Sequence, residues 1–135
     1  MKRILGPILC LAIIGCCMPG EREALKPLPE KGGKFTYQEM YTRARLQAMA
    51  AVEAFYIDGW LELEQTAQVL EQSARYLPRS SEPPAHLKVS LEKDADQLRK
   101  QAVRLGEAAR AKNDKTANEV IQQIQMTIRT LRPEE

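Results

Sequence analysis

The stretch that decides the fold is residues 60–77, "WLELEQTAQVLEQSARYL". Its apolar and small residues recur at alternating intervals of three and four, which is the spacing of one face of an α-helix. These positions are Trp60, Leu63, Ala67, Leu70, Ala74 and Leu77. Pro78 follows directly, and proline ends a helix because it restricts the residue before it and lacks an N–H. The stretch therefore predicts an amphipathic helix over residues 60–77.

The residues before this stretch predict another helix, over residues 37–57. Thr36 and Glu39 have the spacing of a capping box, and Phe35 and Met40 have that of a hydrophobic staple. Asp58 is a good N-cap for the helix that follows, next to a glycine that disfavours helix interiors. The predicted inner face consists of Tyr37, Tyr41, Ala44, Ala48, Ala51 and Phe55, widened by Met49, Val52 and Tyr56.

Two more helices are predicted downstream, over residues 84–111 and 114–131. The connection "PRSSEPP" places Pro83 or Pro84 in the first turn of the third helix, where a missing N–H costs nothing. Gly106 lies inside that helix and either weakens it by about 1 kcal/mol or permits a close approach by a neighbouring helix. Asn113 or Asp114 then caps the fourth helix. The two buried seams are Leu87, Leu91, Ala95, Leu98, Ala102, Leu105 and Ala109, and then Ala117, Val120, Ile121, Ile124, Ile128 and Leu131.

Four amphipathic helices with short connections predict an all-α domain over residues 35–132. The simplest packing is an up-down-up-down antiparallel four-helix bundle. A domain of this size buries enough surface to be stable as a monomer. Two longer hairpins that dimerise through the same stripes are the alternative.

The first residues have the layout of an export signal. Lys2 and Arg3 precede an apolar run, Ile4 to Ile14, which is too short to span a bilayer as a permanent helix. The peptide Ile13-Ile14-Gly15-Cys16 resembles the bacterial lipobox, in which the cysteine receives a diacylglyceryl thioether. The resemblance implies a lipoprotein signal peptide over residues 1–15, lipidation of Cys16, and an exported protein anchored to the membrane. An ordinary secretory signal or an uncleaved anchor is the alternative.

Residues 16–34 are interpreted as the lipidated cysteine and a flexible linker. The stretch from Met18 to Lys34 contains three prolines, three glycines and few large apolar residues. With Cys16 lipidated, Cys17 has no partner in the remaining chain and an internal disulfide is excluded. The anchored domain is expected to face the periplasm or the cell exterior. In the lipobox family an aspartate after the lipidated cysteine retains the protein in the inner membrane, so Cys17 favours the outer membrane where the source cell has one.

The charge balance disfavours nucleic acid as a partner. The net charge is +2, and Lys2 and Arg3 account for it, because 20 − 2 = 18 basic residues then face 18 acidic residues. A neutral domain lacks the basic field that phosphate binding requires.

The residue types that carry catalysis or metal binding are sparse. His86 is the single histidine and has no second histidine, cysteine or set of carboxylates beside it in the sequence. Met40, Met49 and Met126 occupy core-like positions and are interpreted as packing residues. No nucleophile–base pair and no glycine-rich phosphate loop are present, so the sequence predicts no enzyme activity, no cofactor and no metal site.

The helical part resembles the cytochrome c′ family of four-helix-bundle haem proteins. The similarity covers about residues 36–132 and rests on Asp58-Gly59-Trp60, the alanine–leucine seams, and "KND" before the last helix. That family binds haem covalently through Cys-x-x-Cys-His in its last helix, and this chain has Thr127-Ile128-Arg129-Thr130-Leu131 there. Covalent haem is therefore excluded. The resemblance implies the fold and a haem-free relative.

Two functions remain open from the sequence. The leading interpretation is a membrane-anchored, non-catalytic structural or interaction module with an envelope protein as partner. The alternative is a binder of noncovalent haem, a metal or a small ligand. Such a ligand needs a gap between helices, which the small residues Ala44, Ala48 and Ala51 are able to border.

Overall fold

The computed structural model describes residues 23–29 and 33–134. Within these ranges it contains four α-helices and no strand. They are α1 (Tyr37–Tyr56), α2 (Trp60–Tyr76), α3 (Leu91–Arg110) and α4 (Asp114–Thr130). Two short 3₁₀ helices, Leu77–Arg79 and Ala85–Leu87, lie in the connection between α2 and α3. The predicted all-α fold is confirmed.

Helices that are consecutive in the chain pack side by side, and α1 closes the bundle against α4. The Tyr37 hydroxyl at the start of α1 donates to the Leu131 carbonyl, just beyond the end of α4, at 2.5 Å. Arg110 at the end of α3 lies 3.6 Å from the Glu64 carboxylate in the first turns of α2. In both pairs the start of one helix lies beside the end of the other, as an up-down-up-down antiparallel bundle requires.

The buried core follows the predicted seams of α3 and α4. All positions of those two seams are buried, and so are the positions of the α2 seam apart from Trp60, which is partly buried. No helix of the described residues is both long enough and apolar enough to cross a membrane.

Two helix starts have the predicted caps. The Thr36 hydroxyl accepts a hydrogen bond from the Glu39 N–H at 3.2 Å, and the Glu39 carboxylate accepts from the Thr36 N–H at 2.9 Å. This is a complete capping box. The Asn113 side-chain carbonyl accepts from the Thr116 N–H at 3.1 Å and caps α4.

The start of α2 differs from the prediction, because Gly59 and not Asp58 is its N-cap. Asp58 has a φ of 55° and belongs to the end of α1. The Gly59 N–H donates to the Ala54 carbonyl at 2.9 Å, and the Asp58 N–H donates to the Phe55 carbonyl at 3.2 Å. This pair of bonds is a Schellman motif, in which the left-handed residue is usually glycine.

The turn between α3 and α4 repeats the same geometry. Lys112 has a φ of 50°. The Asn113 N–H donates to the Ala108 carbonyl at 2.9 Å, and the Lys112 N–H donates to the Ala109 carbonyl at 3.1 Å. Two tight turns of one type therefore lie at the same end of the bundle.

The third helix begins at Leu91, seven residues after the predicted start at residue 84. A proline disfavours the helical conformation in the residue before it, so the Pro83-Pro84 pair keeps Glu82 and Pro83 out of a helix. Pro84 itself has an extended ψ of 139°. Leu87 is nevertheless buried, which fixes this connection to the core.

Three positions predicted for the core are exposed: Tyr56 (79%), Met49 (50%) and Met126 (67%). Of the three methionines interpreted as packing residues, Met40 alone is buried. The buried face of α1 includes Gln47, which is fully buried. This face is therefore rotated away from Met49.

Residues 23–29, which the sequence places in the flexible linker, lie along α1 and α2; we call them the strap. Ala24 and Leu28 are buried. The Leu28 N–H donates to the Gln72 side-chain carbonyl at 2.7 Å, and the Gln72 amide donates back to the Leu28 carbonyl at 3.0 Å. The Gln47 amide donates to the Ala24 carbonyl at 2.6 Å. The helices thus satisfy the backbone of the strap with side-chain amides.

The strap also covers a cationic side chain of α1. Arg43 donates to the Lys26 carbonyl, and burial lowers the pKa of Arg43, with Glu23 acting in the opposite direction. At the other end, the Tyr76 hydroxyl donates to the Pro29 carbonyl at 3.1 Å. In chain order, the strap therefore contacts the middle of α1 with its first residues and the end of α2 with its last.

Candidate functional site

Among the neighbouring helices of the bundle, α1 and α4 pack the least closely against each other. A groove of about 520 Å³ runs along the seam between them. Its apolar residues are Tyr41, Ala48, Met49, Val52 and Ile128, and its polar residues are Arg45, Glu53, Gln125, Arg129 and Arg132.

The floor of the groove is apolar because small and half-buried side chains leave the seam unfilled. Ala48 and Ile128 are buried, and Val52 is partly buried. Met49 is half exposed at the edge of this floor. A methionine thioether is flexible and polarisable, so it adapts to different apolar partners. The floor offers an apolar strip parallel to the helix axes.

The walls of the groove are positively charged. Arg45, Arg129 and Arg132 line the groove together with a single carboxylate, that of Glu53. Arg45 and Arg129 are exposed, and neither forms an ion pair or side-chain hydrogen bond within residues 23–29 and 33–134. Guanidinium groups in this state are suited to carboxylates, which they bind through two parallel hydrogen bonds.

A larger groove of about 700 Å³ lies between α3 and α4, and several of its polar side chains are paired with one another. Asp96 lies 2.8 Å from the Lys100 ammonium and 3.0 Å from the Arg99 guanidinium. Hydrogen bonds from Lys100, and then from Arg99, hold the pKa of Asp96 below its usual range. The Thr127 hydroxyl donates to the Gln101 side-chain carbonyl at 2.9 Å. The charged side chains that line this groove make it a solvated face of the bundle.

The predicted lipidation site, Cys16, lies outside the described residues, as do the signal peptide and Cys17. His86 is exposed on the second 3₁₀ helix, with its Nδ1 atom 3.9 Å from the Glu134 carboxylate. In the part of the chain that the structure describes, no group of three or more histidine, cysteine, aspartate or glutamate side chains is arranged to hold a metal ion.

The alanines that the sequence offers as the border of a ligand gap divide between two environments. Ala44 and Ala51 are buried in the core, whereas Ala48 lines the α1/α4 groove. The groove lining contains Met49 and no histidine, because His86 lies in the connection between α2 and α3. The structure therefore does not bring a histidine and a methionine together there.

Sequence reasoning missed the arginines as a set. Arg129 lies in the last turn of α4 and Arg132 just beyond its end, so two arginines stand three residues apart in the sequence. That signal is readable in the sequence, but the position of Arg45 beside them depends on how α1 packs against α4. No protein-family model, curated protein or solved structure matches this chain. The function of the groove is therefore inferred from its own residues.

Proposed function

We propose that this chain is an exported, lipid-anchored and non-catalytic interaction module that binds an acidic amphipathic helix of another envelope protein. The observation that supports the binding site is an apolar groove edged by two arginines, Arg45 and Arg129, without ion-pair partners among the described residues. The observation that supports the anchor is the lipobox-like peptide that ends at Cys16.

A helix is the partner element that fits the shape of the groove. The groove follows the seam between two antiparallel helices, and α1 is about 30 Å long at a rise of about 1.5 Å per residue. A partner helix lying along it would present apolar side chains three and four residues apart to Val52, Met49 and Ala48. Carboxylates on its flanks would then reach Arg45 and Arg129. Such charge pairs fix the orientation and register of a complex more than they raise its affinity.

The proposed anchor raises the local concentration of the module at the membrane. A single acyl chain gives only reversible binding at about 0.8 kcal/mol per buried methylene, whereas two or more give stable attachment. A tethered module then meets a membrane-associated partner at a much higher effective concentration than a free one. A modest groove affinity is sufficient under these conditions.

The groove is tested by site-specific photocrosslinking of the full chain in its native membranes. The crosslinker replaces Met49 in the groove, and Met126, which is also exposed but lies on the α3/α4 groove, is the matched control. We expect a discrete crosslinked protein from position 49 that is lost in Arg45→Glu/Arg129→Glu. Equal products from both positions, or a product that is indifferent to the charge reversal, would contradict a specific groove.

The anchor is tested separately by metabolic labelling with a fatty-acid analogue. We expect Cys16→Ala to abolish labelling and membrane attachment and Cys17→Ala, its immediate neighbour, to retain both. Label that persists in Cys16→Ala would exclude the proposed anchor.

The alternative of noncovalent haem or small-ligand binding has less support, because the groove lining offers one methionine and no histidine. Its test is the absorption spectrum of the purified chain with added haem. A stoichiometric Soret shift that disappears in Met49→Leu would favour this alternative over helix binding.

A further inference from the structure

One corner of the bundle exposes a cluster of large apolar side chains. Tyr56 is 79% exposed, Ile57 74% and Leu61 63%, and all three lie at the turn between α1 and α2. We call residues 55–61 the apolar corner. A group of large apolar side chains exposed at one turn is typical of a contact with another protein or with a membrane.

The apolar corner is held in shape by ring packing and by its turn. The Phe55 ring packs edge-on against Trp60, with centroids 6.2 Å apart, and against Tyr56, with centroids 5.8 Å apart. The Schellman hydrogen bonds of Asp58 and Gly59 fix the backbone between these rings. The backbone that carries the exposed apolar side chains of the corner is therefore fixed in one conformation.

The strap has a defined direction along the bundle. The Ala24 carbonyl accepts a hydrogen bond from Gln47 in the middle of α1, and the Pro29 carbonyl accepts one from Tyr76 at the end of α2. From residue 24 to residue 29 the strap therefore runs away from the α1–α2 turn. The N-terminal end of the strap is therefore the end that lies nearer to the apolar corner.

The length of the chain before the strap is sufficient for Cys16 to reach the corner. Eight residues separate Cys16 from Ala24 and span at most about 26 Å at about 3.3 Å each. Ten helical residues separate Gln47 from Ile57, and they span about 15 Å at about 1.5 Å each. A lipid attached at Cys16 can therefore enter a membrane that touches the corner.

We propose that the apolar corner inserts into the lipid interface beside the anchor, so that the bundle stands on the membrane with its α1–α2 turn down. This inference rests on the proposed lipidation of Cys16. Tyrosine and tryptophan suit that depth because each has an apolar ring body and a polar tip. The exposed charges of this turn are Asp58 and Glu62, and the α3–α4 turn at the same end of the bundle adds Lys112, Asp114 and Lys115. Charges of both signs offset each other there, so the attraction is apolar and not electrostatic. The contact should not require anionic lipid.

The single tryptophan of the chain, Trp60, lies in the corner and reports on its contact. The full lipidated chain is reconstituted into phosphatidylcholine vesicles whose acyl chains carry bromine, which quenches tryptophan at short range. We expect flotation with the vesicles, quenching of Trp60 and a blue shift of its emission. The double variant Ile57→Asp/Leu61→Asp should still float but lose most of the quenching.

Val89→Asp is the matched control, because Val89 is 99% exposed at the opposite end of the bundle. It should float and quench like the wild type, and circular dichroism should show that all variants remain helical. Quenching that is equal in the double variant and the wild type would overturn the proposal. So would quenching that appears only with anionic lipid at low salt, since the attraction would then be electrostatic.

Failure of the anchor and failure of the corner give different results. A wild-type chain that floats without quenching overturns the corner proposal alone. In that case a crosslinker at position 57 that captures a protein in cells would assign the corner to a protein partner. A wild-type chain that does not float overturns the lipid anchor and the corner proposal together.

Discussion

Gly106 provides a direct test of how closely α2 and α3 pack. It lies in the interior of α3 and is buried. A Cβ atom at this position would lie 3.7 Å from the Ala67 Cβ, which is ordinary van der Waals contact. Gly106→Ala should therefore stabilise the bundle by about 1 kcal/mol, because alanine loses less backbone entropy in a helix than glycine. For a domain of this size, this corresponds to a rise in Tm of about 4–8 °C.

Gly59→Ala is the matched control with the opposite expected sign. A Cβ on Gly59 would lie 2.9 Å from a carboxylate oxygen of Glu62 and 3.3 Å from the Ala54 carbonyl. Alanine is also a poorer N-cap than glycine, so we expect a loss of about 0.5–1 kcal/mol. Both variants are compared by thermal unfolding followed by circular dichroism. If Gly106→Ala lowers Tm, the glycine is required for closer helix packing than the 3.7 Å distance indicates, and the reasoning fails.

Three further perturbations test the turns, the strap and the core. Lys112→Gly should raise the free energy of unfolding by about 1 kcal/mol, because glycine avoids the penalty of a left-handed residue; an unchanged denaturation midpoint would contradict this. Gln72→Ala removes both hydrogen bonds to the Leu28 backbone, each with a net value of about 1 kcal/mol, and should accelerate hydrogen exchange at the Leu28 N–H while leaving the helix amides protected. Tyr37→Phe should cost about 1 kcal/mol at neutral pH by leaving the Leu131 carbonyl without its partner. Burial raises the pKa of Tyr37, so its contribution is complete below its ordinary pKa of 10.0 and declines as the pH rises through the folded-state pKa; the difference between wild type and variant should therefore shrink in alkali.

The helices were predictable because each has a periodic apolar face and most have local end signals. The seam from Leu63 to Leu77 and the capping box at Thr36 depend on residues within a few turns of each other. The width of the buried face of a helix is not set by such local residues, because it depends on which neighbouring helices cover the flanks of that face. Met49 and Met126 were wrongly placed in the core for that reason, since the periodicity of a helix does not show where its neighbours end.

The strap was not predictable from composition. Prolines and glycines around it are typical of a linker, and its two buried side chains, Ala24 and Leu28, are separated by Leu25, Lys26 and Pro27. The side-chain amides of Gln47, in the middle of α1, and of Gln72, near the end of α2, hold the strap by binding its backbone across 23 and 44 residues of sequence. The arginine-edged groove likewise combines residues from the first and the last helix of the sequence. Contacts of such long range follow from the packing of the helices and not from any local pattern.

The strap and the groove use opposite flanks of α1, which allows tethering and binding to occur together. The strap contacts Arg43 and Gln47, whereas the groove is lined by Arg45 and Met49. If the apolar corner rests on the membrane, Arg45 stands about 18 Å above Ile57, at about 1.5 Å per residue over twelve residues. This distance exceeds the screening length of about 8 Å at physiological salt, so lipid charge has little effect on the arginine. The proposed acidic partner must therefore carry its helix well above the bilayer surface. A polar domain that projects from the membrane meets that requirement, and a helix lying in the lipid interface does not.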